Sequence, residues 1–108
     1  MITFTVWKSN NQYRGFVFDG HADYLPYGED IVCSAVSALA VNTANSVDAF
    51  TEEIFELETA EDGGYLKMIF PNGANEKTSL LMDSLVLGIR SIRDEYGKEY
   101  IDLTFKEV

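Results

Sequence analysis

Apolar and polar positions along the chain divide it into seven segments. The opening "ITFTVWK" is β-branched and aromatic, the composition of a strand, and "NNQ" followed by "YRGFVFDGHA" reads as a turn into a second strand, hence a hairpin. Residues 22–29, "ADYLPYGE", contain Pro26 and Gly28, follow no regular period and read as a loop. From Asp30 the period becomes helical: Val32, Val36, Leu39, Thr43, Val47 and Phe50 recur at steps of three and four. Asp30 suits the N-cap of this helix, and Ala35, Ala38, Ala40 and Ala44 keep one side of it thin. "IFELETA" and "YLKMIFP" are two further strands joined through "EDGG", where Asp62-Gly63 suits a tight turn because glycine tolerates positive φ. After the break at "PNG" a second helix runs from Asn75 to Tyr96, with Leu81, Leu85, Ile89 and Ile92 on one stripe and Gly97 as its stop. "YIDLTF" is the last strand.

The order ββαββαβ predicts an α+β fold, a mostly antiparallel sheet with two helices packed on it. No linker or low-complexity tract interrupts it, so residues 1–108 are read as a single domain. The second helix carries Leu80, Met82, Val86 and Leu87 beside its main stripe, and Gly88 sits in its middle at a cost of about 1 kcal/mol relative to alanine. A broad apolar face with a mid-helix glycine suggests close approach by another backbone, as in a homodimer; the alternative is that all these residues meet the domain's own sheet.

Composition narrows the function classes. With 46% hydrophobic and 13% aromatic residues, 108 residues supply one core. The apolar runs are too short and interrupted to span a membrane, and "MITFTVWKSNN" lacks the basic flank and cleavage site of a secretory signal, so a soluble cytoplasmic protein is expected. Eight Lys and Arg against 18 Asp and Glu give a net charge of −10, which repels phosphate backbones and disfavours direct nucleic-acid binding while favouring a cationic protein partner. One cysteine and one histidine are too few for an internal disulfide or a structural zinc site, and no metal or cofactor is expected.

The chemistry concentrates in "GHADYLPYGEDIVCSAVS", which holds the lone His21 and, 12 positions on, the lone Cys33. If Asp30 is the cap, Ile31, Val32 and Cys33 form the first helical turn, whose unpaired amides and aligned dipoles favour a thiolate and could receive the oxygen of a tetrahedral intermediate. His21 ends the second strand at the edge from which this helix starts, a placement that allows imidazole and sulfur to meet. Asp19, two residues earlier on the same strand face, or Asp30 can orient the ring. Against this stands a plainer account: an inert packed thiol, a surface histidine, Asp30 as a cap only, and Ser37 bonded to a preceding carbonyl.

"GHA" (Gly20, His21, Ala22) followed by "GEDIVCSAVS" (Gly28 to Ser37) resembles the paired motif of the ribosomal-processing cysteine protease family, whose fold also matches ββαββαβ over the whole chain. Ser34 stands where that family more often has alanine. The resemblance implies that Cys33 is the nucleophile and His21 the general base, with Asp30, Ser37, Gly20 and Gly28 as supporting motif residues. It also implies a homodimer, a loop over the site at residues 22–29, and a substrate that is the precursor of a basic large-subunit ribosomal protein, from which a short N-terminal extension is removed. In such a loop Tyr24, Leu25 and Tyr27 would close over an apolar substrate side chain, with Gly28 as hinge. Two other classes compete: a non-catalytic acidic binding module or assembly chaperone for a basic ribosomal protein, and a thiol redox sensor, which would need a partner's resolving thiol.

Overall fold

The computed structural model describes residues 1–20, 27–61, 63–96 and 98–108, with the side chains of Tyr27 and Gly28 left aside. Strands β1 (Ile2–Ser9) and β2 (Gln12–Asp19) form the expected hairpin. Its turn residues Asn10 and Asn11 both adopt positive φ, 51° and 66°, the two-residue geometry whose twist matches that of the strands. Helix α1 (Tyr27–Phe50), strands β3 (Glu56–Thr59) and β4 (Tyr65–Ile69), helix α2 (Glu76–Tyr96) and strand β5 (Ile101–Glu107) complete the order ββαββαβ.

The strands lie side by side as β3-β4-β2-β1-β5, antiparallel throughout except that β5 runs parallel to β1. Every second residue of the central strands turns to one face: Ile2, Phe4 and Val6 from β1, Phe16 and Phe18 from β2, Leu66 and Met68 from β4 are buried there. Phe4 stacks on Phe16 at 5.5 Å between ring centroids. Val32, Val36, Ala40, Ala44 and Val47 of α1 and Met82, Leu85, Val86 and Ile89 of α2 close the same core. Gly15 is obligatory in β2, because at φ 153° a β-carbon would lie 2.4 Å from the Met68 carbonyl of β4. Among the described residues no helix is long and apolar enough to cross a membrane.

Several sequence expectations are adjusted. α2 starts one residue later than read, because Asn75 is its cap: Asn75 Oδ1 accepts the Thr78 amide at 2.8 Å. Gly97 and Asp62 lie outside the described residues; Gly63, at φ 83°, does take the left-handed conformation expected of the turn. Of the surplus apolar residues of α2, Met82 and Val86 are buried in the chain's own core, whereas Leu80 and Leu87 are exposed. The close approach at Gly88 is also internal, since a β-carbon there would meet Leu39 Cδ1 of α1 at 2.7 Å.

The larger correction concerns α1. It begins at Tyr27, so residues 27–29 belong to the helix rather than the loop, Asp30 is its fourth residue rather than its cap, and Gly28 lies inside the first turn rather than at a hinge before the helix. Two features favour the earlier start: a proline directly precedes Tyr27, and Glu29 and Asp30 put negative charge against the dipole in the first turn.

Candidate active site

Cys33 sits in the second turn of α1, half-buried, with its sulfur against the end of β2. Side chains on a helix lean toward its N-terminus, so the sulfur overlies the preceding turn. The Gly20 carbonyl oxygen lies 3.9 Å from Sγ and can accept the thiol proton. Gly20 is buried and pinned by its own amide, which donates to the Gly64 carbonyl at 2.9 Å. A β-carbon on Gly20 would fall 2.6 Å from Sγ and 3.0 Å from the Phe18 ring, so only glycine leaves room for the sulfur.

The electrostatics differ from expectation. Burial, followed by the charges of Asp30 and Glu29, pushes the Cys33 thiol above its usual 9.0. The anticipated lowering fails for a definite reason. With the helix starting at Tyr27, its unpaired amides belong to residues 27–30, and the turn beneath the sulfur carries two carboxylates. No Lys or Arg occurs in the sequence between Arg14 and Lys67. Burial and these two carboxylates therefore act in the same direction on the thiol, against ionisation.

Glu29 is the site residue that reading the sequence missed. It is buried, and its Oε1 lies 2.6 Å from the Met1 amino group, an ion pair that joins the first turn of α1 to the start of β1. The available signal was spacing: Glu29 and Asp30 precede Cys33 by four and three positions, which places all three on one helix face.

Of the remaining expected residues, Ser37 is half-buried one turn beyond Cys33, Asp30 is exposed, and Asp19 is exposed at the last position of β2, where its carbonyl accepts the Thr3 hydroxyl at 3.3 Å. His21, Tyr24 and Leu25, together with the Tyr27 side chain, lie outside the described residues. His21 follows Gly20 directly in the chain, so its backbone leaves from the residue that touches the sulfur. Ile31, Val32 and Ala35 of α1 form an apolar groove with Ile92 and Tyr96 of α2 and Tyr100 beyond it, a feature that no local pattern announced because half of its lining comes from a distant part of the chain.

A half-buried thiol seated against a glycine at a sheet end can serve as a nucleophile once a base takes its proton. Comparison with known proteins points the same way. The profile of the family described as Cysteine protease Prp matches residues 1–102. The ribosomal processing cysteine protease Prp of Staphylococcus aureus is 30% identical over 90 residues, covering 83% of this chain and 84% of that protein. The protein of the same description from Bacillus subtilis is 30% identical over 101 residues, covering 89% and 90%. The crystal structure of the S. aureus ribosomal processing protease Prp in complex with a substrate peptide superposes with a TM-score of 0.89 at 27% identity, covering 98% of this chain and all of that one.

Proposed function

The chain belongs to the ribosomal processing cysteine protease Prp family, and from that premise we propose that it removes a short N-terminal extension from a basic large-subunit ribosomal protein by Cys33–His21 acyl transfer. The observation that carries the site assignment is the seating of Cys33 Sγ against Gly20, the residue directly before the only histidine.

Burial and the neighbouring carboxylates raise the Cys33 thiol, which supports His21 in the role of general base. His21 takes the proton as Sγ attacks the scissile carbonyl. The unpaired amides of the first turn of α1, over which the sulfur leans, hold the oxyanion. His21 then protonates the leaving amine, and water hydrolyses the thioester. Asp19, two residues before His21, orients the ring. Tyr24, Leu25 and Tyr27 cover the substrate. The exposed Leu80 and Leu87 supply an apolar contact for the homodimer that the family resemblance implies.

The test mixes purified protein with a peptide carrying such an extension and follows products by mass spectrometry. Wild type is expected to cut it, and Cys33→Ala and His21→Ala to bind it without cutting. Cleavage that survives Cys33→Ala removes the thiol from the reaction, and binding without cleavage by wild type favours the assembly-chaperone reading.

A further inference from the structure

Strand β3 ends the sheet: it pairs with β4 on one side only, and all four of its residues, Glu56 to Thr59, are exposed. Its register fixes which backbone groups are free. The Ala60 amide donates to the Tyr65 carbonyl at 3.3 Å, so in an antiparallel ladder Glu58 and Glu56 also bond toward β4, and the N–H and C=O of Leu57 and Thr59 point to the open edge. An exposed edge of this kind is a template for another strand. Short length and like charge keep copies of such an edge apart, and here the charge is acidic, with neither lysine nor proline in the strand. Leu57 is 48% exposed, Ile54 on the segment leading in is 63% exposed, Phe55 between them packs against the core, and Glu56 and Glu58 flank Leu57.

We infer that the open edge of β3 takes up an extended, lysine- or arginine-bearing segment of the substrate polypeptide by strand addition, at a distance from the bond that is cut. This rests on the protease reading above and adds a second contact to it. Three observations select that occupant. Glu56 and Glu58 project from the face opposite the helices and, among the described residues, neither forms an ion pair. Leu57 projects on the helix side, beside the buried Met68, so an added strand would meet carboxylates on one face and an apolar side chain on the other. Finally, from Gly15 to Leu66 the chain contains 11 Asp and Glu and no Lys or Arg, and that stretch includes both the edge and Cys33. A cationic segment finds no repelling charge within this stretch, although Lys67, the residue that follows it, stands opposite Glu58 in β4.

The edge also connects to the site. The end of β3 at Thr59 pairs with Leu66, and the nearby Gly64 carbonyl holds the amide of Gly20, so both stand at the same end of the sheet. With strands about 4.8 Å apart, the added strand lies three spacings from β2, roughly 15 Å, which an extended chain spans in about five residues. Basic residues about five positions from the cut bond, alternating with apolar ones, fit the edge.

Two peptides containing the cut bond, one with lysines and one with alanines at the positions four to six residues from it, separate the possibilities when both flanks are tried. Wild type is expected to favour the lysine peptide in kcat/KM by about tenfold. The preference should fall below about twofold in Leu57→Pro, which removes an outward N–H and no β3–β4 bond, and in the Glu56→Gln, Glu58→Gln double variant, which leaves the backbone intact. The alanine peptide should be cut equally by all three. An undiminished preference in the double variant overturns the inference, whether or not Leu57→Pro folds, and so does a shift in sedimentation of Leu57→Pro relative to wild type, which assigns the edge to a second copy. If wild type cuts neither peptide, it is the protease reading that fails.

Discussion

Gly20 and Cys33 illustrate how little room the thiol has. The sulfur occupies the space a side chain on Gly20 would fill, so Gly20→Ala must displace it by about an ångström while leaving the buried strand and helix partners in place. Gly20→Ala is expected to keep the circular dichroism spectrum of wild type and to lose on the order of a hundredfold in kcat/KM for the cleaved peptide. Unchanged kinetics would mean that the sulfur works from another position. The motif around Cys33 was legible at this scale, because His21 and Cys33 are the chain's single histidine and single cysteine, flanked by glycines. The state of the thiol was not. It depends on where α1 begins and on Glu29, whose burial against the Met1 amino group arises from packing between segments far apart in the chain.

Among the elements, β2 and α2 are tied by a bond with a pH signature. The Tyr13 hydroxyl donates to Asp83 Oδ1 at 2.6 Å, and burial together with that carboxylate pushes the phenol from 10.0 up to about 12. Above pH 10 the unfolded chain loses this proton while the folded one keeps it. The stability contributed is thus complete below pH 10 and is lost as pH rises through about 12. In urea titrations Tyr13→Phe is expected to be less stable than wild type by about 1 kcal/mol at pH 9, and to show a shallower decline between pH 10 and 12. Parallel curves would show that the phenol keeps its ordinary titration. Periodicity located both helices and all five strands, but boundaries slipped where caps decided them. α2 waited for Asn75, and α1 reached back to Tyr27 because acidic residues met its dipole earlier than the apolar stripe suggested.

For the whole molecule the net charge of −10 acts over distance rather than at a contact. Raising salt from about 0.05 to 0.5 M shortens the screening length to about 4 Å. kcat/KM toward a cationic peptide should then drop several-fold through KM, with kcat steady, whereas a neutral peptide of the same length should be cut at the same rate at both salts. Equal salt dependence for the two would remove long-range attraction as a factor.

Local pattern determined the element order and the α+β class and put His21 and Cys33 forward as a candidate pair, because turn residues, hydrophobic period and rare side chains are all properties of neighbours in the chain. Tertiary structure decided that β5 pairs in parallel with β1, that Gly88 accommodates Leu39, that β3 is left with an open acidic edge, and that burial and two carboxylates push the Cys33 thiol upward. Each of those depends on which distant segments come together and on how much water they exclude, and neither is encoded within any short window of sequence.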